Sequence, residues 1–205
     1  LQEKLGFKPQ LIFTKDAGIP FFYLINIFAP DFFGNPVTRN DWFGYYAEWA
    51  SFVGVIPLAL AIFAFNKKNK TSLFFFITGL IFLILAIDSP IQSLISDMKV
   101  PVISTSNPTR IIVLFSFAIS VLSGFGLDRL GKLKGLFNKI TPIFVVGSCF
   151  LVGWISIFTL IPTDKFSVAQ RNFILPSVVF IIFSFIVFLN HLLKPKKNIL
   201  LYVLL

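Results

Sequence analysis

The stretch that decides the fold runs from Asp31 to Phe65 and reads DFFGNPVTRNDWFGYYAEWASFVGVIPLALAIFAF. It begins with turn-forming Gly and Pro residues and becomes continuously apolar a few residues after Glu48. Four aromatic side chains flank this boundary: Trp42, Tyr45, Tyr46 and Trp49. Aromatic residues beside an apolar run are typical of a helix that enters a membrane. The stretch therefore predicts a polar segment followed by a transmembrane helix, with a carboxylate at the boundary.

The composition of the whole chain also indicates a membrane protein. Hydrophobic residues make up 56% of the 205 residues, and 28 residues are Phe. A soluble domain of this length could not bury so much apolar surface in one core. One Cys and one His exclude a disulfide framework, and they exclude a zinc or haem site without carboxylate ligands. No metal ligand is assigned, and a divalent metal would have to be held by Asp and Glu.

Five apolar runs predict membrane spans: residues 45–65, 71–87, 108–127, 140–161 and 173–193. Residues 20–30 are apolar but too short to cross a bilayer, which requires about 20 residues, so they are predicted to be interfacial or re-entrant. Ile199–Leu205 is predicted to begin a sixth span, and both ends of the chain are expected to continue in a longer protein. The predicted fold is an all-α bundle, with an extracytoplasmic segment at 1–44 and a transmembrane domain at 45–205.

The net charge of +9 is distributed in a way that predicts orientation. Three loops carry an excess of basic residues: Lys67, Lys68 and Lys70; Arg129, Lys132, Lys134 and Lys139; and Lys194, Lys196 and Lys197. Lys and Arg near span ends mark the cytoplasmic side, so segments 1–44, 88–110 and 163–172 are predicted to be outside. The basic charge is therefore a topology signal and does not indicate nucleic-acid binding.

Two local patterns predict further features of the bundle. Ser89 is a candidate N-cap, and the apolar residues of 91–98 recur at helical spacing, which predicts a short helix on the outer membrane surface or, alternatively, a loop that dips toward the headgroups. Ser116, Ser120 and Gly124 recur every four residues in the third span. Small residues at this spacing are expected to let a neighbouring helix approach closely.

The candidate binding residues are predicted to gather on the outer side. Asn107 is a candidate cap and Pro108 a first helical residue, so Arg110 falls in the first turn of the third span. Free N–H groups, a helix dipole and a guanidinium at one boundary suit a phosphate, although an Arg that reaches toward lipid headgroups is equally consistent. If the first and third spans are neighbours, Glu48 is expected at the same depth as Arg110, where the two form either an ion pair or two sides of a polar pocket. Tyr45 belongs to the same predicted pocket.

Several short runs in order carry a resemblance to a known family. They are residues 28–36 (FAPDFFGNP), 45–48 (YYAE), 52–58 (FVGVIPL), 106–110 (SNPTR) and 122–128 (LSGFGLD). Over roughly residues 28 to 130 the chain resembles bacterial YfhO-type membrane proteins. These are similar to the GT-C superfamily of glycosyltransferases, which use a sugar linked to polyprenyl phosphate.

The resemblance implies a multi-pass enzyme of the bacterial inner membrane. Such an enzyme would transfer a sugar from the polyprenyl-phosphate donor to a cell-envelope acceptor on the extracytoplasmic side. The catalytic acid of that superfamily lies in the first outer loop, which is expected upstream of Leu1, so the catalytic residue is unknown. Arg110 and Asn107 are predicted to hold the donor phosphate, with Glu48 and Tyr45 lining the pocket. The alternatives are a lipid or small-solute transporter or flippase, and a non-catalytic membrane scaffold.

Overall fold

The structure, a computed structural model, describes residues 18–66, 68–98, 108–133 and 135–193, except for the side chains of Ser96 and Leu193. Within these ranges the chain forms helices and short 3-10 turns, without a named strand. The helices are α1 (Val55–Phe63), α2 (Lys70–Ala86), α3 (Pro90–Asp97), α4 (Ile112–Lys132), α5 (Leu136–Leu160) and α6 (Thr163–Leu193). The predicted all-α fold is therefore confirmed for the described part of the chain.

Among the described residues, three helices are long and apolar enough to cross a membrane: Pro108–Lys132, which includes the 3-10 turn before α4, Leu136–Leu160 and Thr163–Leu192. They coincide with the third, fourth and fifth predicted spans. The segment 163–172, predicted to be an outer loop, is instead the beginning of α6. At about 1.5 Å per residue α6 is roughly 46 Å long, more than the roughly 30 Å of hydrocarbon in a bilayer. Its first turns can therefore extend beyond the apolar layer without leaving the helix.

The prediction that residues 45–65 form a membrane-crossing helix is wrong. Only Val55–Phe63 is helical, and nine residues give about 14 Å of helix. Gly54 has a φ of 98°, a left-handed backbone conformation that glycine adopts readily. Because this conformation is not helical, α1 begins only at the next residue. Pro57 lies in the first turn of α1, where its missing N–H leaves no hydrogen bond unmade, so it helps to start the helix rather than kink it.

The predicted count of five spans with a truncated sixth is not confirmed. Lys70–Ala86, which corresponds to the second predicted span, is apolar but has only 17 residues. Ile199–Leu205 lies outside the described residues. What the structure supports is a membrane protein whose described residues include three helices of spanning length and an apolar helix of 17 residues.

The helix α4 packs against α1 through a face that the sequence pattern did not identify. Gly126 lies against the backbone carbonyl of Leu60, closer than any side chain would allow. Gly124, which was predicted to permit such an approach, faces open space, and Ser120 donates a hydrogen bond to the Ser116 carbonyl of its own helix at 2.9 Å. The predicted packing stripe is therefore wrong, because the buried face of α4 follows Phe115, Ala118, Leu122 and Gly126.

The predicted surface helix at Ser89–Met98 is confirmed as a helix. Ser89 Oγ accepts a hydrogen bond from the Gln92 backbone N–H at 3.2 Å, as expected of an N-cap. Ile91, Leu94 and Met98 are 52%, 60% and 66% exposed, so one apolar face of α3 is left uncovered by the protein. Its position on the membrane surface stays a prediction.

Residues far apart in the chain meet at one end of the bundle, which we call the Glu48 end. The backbone of Ile19 pairs with Ala86 and Asp88 through hydrogen bonds of 2.8 Å each. Asn172, near the start of α6, donates its side-chain N–H to the Asp31 carbonyl at 2.5 Å. The segments predicted to lie outside the membrane therefore meet at the same end, and the compartment that this end faces stays a prediction.

Candidate functional site

Glu48 and Arg110 are in contact at the Glu48 end. Arg110 Nη2 lies 3.5 Å from Glu48 Oε1, and the two side chains are 69% and 37% exposed, respectively. Glu48 lies in a turn several residues before α1, and not at the mouth of a helix as predicted. Arg110 lies in the 3-10 turn Pro108–Ile111 that leads into α4. The structure thus contains the ion pair that was one of the two predicted arrangements, and the binding of a ligand there stays a prediction.

The turn that carries Arg110 is fixed by its buried neighbours. Pro108 and Thr109 are buried, with Thr109 at 0% exposure, so the guanidinium projects from an anchored backbone. Asn107, the predicted N-cap, lies outside the described residues. Ile111 occupies the cap position of α4 and makes no side-chain capping bond. Arg110 is therefore the cation that the described structure places at the beginning of α4.

The segment leading to Glu48 is held by a hydrogen-bond network around Asp31. Tyr46 Oη donates to Asp31 Oδ1 at 2.6 Å, and Asn35 Nδ2 donates to the same oxygen at 3.3 Å and to Tyr46 Oη at 3.2 Å. The hydrogen bond to the Asp31 carboxylate raises the pKa of Tyr46 above its ordinary value. Because Asn172 binds the Asp31 carbonyl, this network also ties the segment to α6. It fixes the backbone two residues before Glu48.

Tyr45 lies beside an aromatic cluster that forms the core of the Glu48 end. Tyr23 stacks on Phe33 with ring centres 4.9 Å apart and meets Trp49 edge-on at the same distance. The ring of Tyr45 meets Trp49 edge-on at 5.2 Å. Burial raises the pKa of Tyr23 to about 12. Trp49 is only 2% exposed, so this part of the aromatic run forms packed core and is not a belt facing lipid headgroups.

The acidic residues at this end do not form a metal site in the part of the chain that is described. No three His, Cys, Asp or Glu side chains there lie close enough together to hold a metal ion. Asp31 accepts bonds from Tyr46 and Asn35, while Glu48 faces Arg110. The site therefore presents an exposed guanidinium next to a carboxylate, close to an aromatic core.

Sequence reasoning missed the residues that join this site to α6. Asn172 was counted as part of an outer loop, and its partner Asp31 is 141 positions away in the chain. Neither position carries a local pattern that predicts the contact. The hydrogen bond between Asp31 and Tyr46 was not predicted, because a hydrogen bond across a loop has no fixed spacing.

No protein-family model, curated protein or solved structure matches the chain. The resemblance to YfhO-type proteins and to the GT-C superfamily therefore stays a prediction. The class that the fold supports is an all-helical membrane protein.

Proposed function

We propose that this chain is the membrane portion of a GT-C-like glycosyltransferase that binds a polyprenyl-phosphate-linked sugar at the Glu48 end. The sugar would pass to a cell-envelope acceptor on the extracytoplasmic side of a bacterial inner membrane. Arg110 binds the donor phosphate in this proposal, and Glu48 and Tyr45 line the pocket. The observation that carries it is the exposed Arg110 guanidinium, held beside Glu48 at the end of a helix of spanning length.

The exposure of the ion pair favours exchange of its carboxylate for a phosphate. An exposed ion pair is worth about 0–1 kcal/mol, so Glu48 restrains Arg110 only weakly. A phosphate offers oxygens that a guanidinium can bind through two parallel N–H donors, which gives shorter and stronger hydrogen bonds than the present 3.5 Å contact. Arg110 is therefore available to a phosphate.

The position of Arg110 just before α4 fits a lipid-linked ligand. The span Pro108–Lys132 begins two residues before Arg110, so the guanidinium lies at one boundary of an apolar helix. The phosphate of a polyprenyl lipid lies at the same boundary, since its isoprenoid chain must remain in the hydrocarbon. The Asp31 network and the aromatic core keep the surrounding segment in place for such a ligand.

The test is a comparison of Arg110→Gln and Arg110→Lys with the matched control Arg171→Gln. Arg171 is an exposed Arg near the start of α6, so its replacement removes the same charge near the same end. Binding of a polyprenyl phosphate is measured with the purified protein, and transfer of labelled sugar is measured in membranes that contain the longer protein in which both ends of this chain are expected to continue. Arg110→Gln is expected to abolish both, Arg110→Lys to weaken both, and Arg171→Gln to retain both.

Two results would overturn the proposal. Unchanged sugar transfer in Arg110→Gln, with equal protein in the membrane, would remove the role of Arg110. Loss of binding in Arg171→Gln to the same extent would show that general positive charge, and not the Arg110 site, attracts the phosphate. The transporter alternative has no specific support in the described helices, because the charged residues of α4, α5 and α6 lie near their ends.

A further inference from the structure

A cleft of about 580 Å³ opens at the other end of the bundle, which we call the Arg129 end. It lies between the end of α1, the beginning of α2, the end of α4 and the beginning of α5. Its walls are mainly apolar and include Phe65, Phe76, Phe137 and Val145. Phe137 is 81% exposed and Val145 47%, so the cleft opens on the outer surface of the bundle, where a bilayer would contact it. Its composition suits a hydrocarbon chain.

Arg129 provides a charged group in this apolar cleft. Its Nη1 donates to the Phe63 carbonyl at 3.1 Å, which holds the guanidinium at the end of α1. No carboxylate among the described residues forms an ion pair with Arg129. The adjacent carboxylate, Asp128, is bound to Lys132 at 2.6 Å. The positive charge of Arg129 is therefore not neutralised by any of the described acidic side chains.

The charge around the cleft is complementary to an anion. The described residues of segment 128–139 include three basic residues, Arg129, Lys132 and Lys139, and one acidic residue, Asp128. Arg129 lies in the last turn of α4, at the end of a 25-residue span. Such a span is about 37 Å long, so its last turn reaches the headgroup layer of a bilayer with a hydrocarbon thickness of about 30 Å. A phosphate in that layer lies within reach of the guanidinium.

We propose that this cleft binds an anionic phospholipid. The lipid phosphate binds Arg129, and one acyl chain lies against the Phe65, Phe76 and Val145 walls. The preference for an anionic lipid comes from the Arg129 guanidinium, which is fixed inside the cleft, and the cleft walls supply the contact with hydrocarbon. This site lies at the opposite end from Glu48 and does not depend on the proposed function.

The test uses the full chain reconstituted in vesicles with spin-labelled phosphatidylglycerol or phosphatidylcholine. The motionally restricted fraction of each lipid gives its relative association with the protein. The wild-type protein is expected to restrict phosphatidylglycerol more strongly. Arg129→Gln should lower that preference by roughly fivefold, because it removes the charge that lies inside the cleft. The matched control Lys70→Gln, an exposed Lys that does not line the cleft, should change it much less.

A second variant tests the cleft without changing its charge. Val145→Trp fills the cleft from its exposed wall and is expected to reduce the restricted phosphatidylglycerol while Arg129 keeps its bond to Phe63. If Arg129→Gln fails to fold, the result with Val145→Trp tests the proposal. Equal restriction of both lipids by the wild-type protein would overturn the proposal, as would equal losses in Arg129→Gln and Lys70→Gln. Unchanged lipid restriction in Val145→Trp would also overturn it.

Discussion

Gly126 of α4 lies directly against the backbone carbonyl of Leu60 in α1, so that a Cβ at position 126 would overlap the carbonyl oxygen. This contact brings the two backbones together without an intervening side chain. It also places Arg129, one turn further along α4, within reach of the Phe63 carbonyl at 3.1 Å. The approach of α1 to α4 therefore depends on a single glycine.

The first prediction is that Gly126→Ala destabilises the protein. The added methyl group must push α1 away from α4, and overpacking of this kind costs about 1–3 kcal/mol of unfolding free energy. The matched control is Gly124→Ala on the same helix, where no atom lies within 4 Å of the new Cβ. Thermal unfolding in detergent should show a lower Tm for Gly126→Ala and no loss for Gly124→Ala. A wild-type Tm for Gly126→Ala would contradict the close approach.

The second prediction concerns the coupling between Glu48 and Arg110. Because both side chains are exposed, a double-mutant cycle with Glu48→Gln and Arg110→Gln should give a coupling energy below about 1 kcal/mol, decreasing with added salt. Chemical unfolding of the four proteins measures it. A coupling of several kcal/mol would mean that the pair is a structural element, and an easy exchange for phosphate would then be ruled out.

The third prediction is a pH effect at Tyr46. The hydrogen bond to Asp31 favours the neutral phenol, so the folded-state pKa of Tyr46 lies above the ordinary value of 10.0. A group whose pKa is raised on folding stabilises the fold fully below its unfolded pKa, so this contribution is lost as the pH rises through the folded-state pKa of Tyr46. The tyrosinate absorbance of wild type minus that of Tyr46→Phe should show a midpoint above pH 10.0, which Asp31→Asn lowers. An unshifted midpoint in the wild-type protein would contradict the hydrogen bond.

The fourth prediction is that Asn172→Ala loosens the segment that carries Glu48. The substitution removes the side-chain bond to the Asp31 carbonyl, which keeps its bond from the Gly34 N–H, so the expected cost is about 0.5–1.5 kcal/mol. Limited proteolysis within residues 31–46 should become faster. Arg171→Ala, an exposed neighbour, serves as the control and should be cleaved at the wild-type rate. Equal protection of both variants would show that the Asn172 bond does not hold the segment.

The position of α4, α5 and α6 was predictable because each is specified by its own composition. A long run without charges is stable in hydrocarbon whatever its neighbours are, so hydropathy alone locates it. The cap at Ser89 was predictable for a similar reason, since its partner Gln92 lies three residues away. The pairing of Glu48 with Arg110 was anticipated only as one of two arrangements, because it required the two segments to be neighbours.

The segment 45–65 shows where local composition is insufficient. Its aromatic residues and apolar run predicted one membrane helix, yet Trp49 turns into the core beside Tyr23, and the helix begins only at Val55. The packing of these aromatic rings against one another stabilises the non-helical conformation of this segment. Neither the composition nor the spacing of these residues contains that information.

The sequence by itself determined that this is an all-helical membrane protein, where its longest helices lie and which of its loops are basic. Tertiary structure alone decided that Gly126 rather than Gly124 forms the close contact, that Asn172 fastens Asp31, and that Arg129 lines an apolar cleft. The physical reason is the range of the interactions. Membrane insertion sums free energies over one segment, whereas these contacts join residues that meet only after the helices have packed.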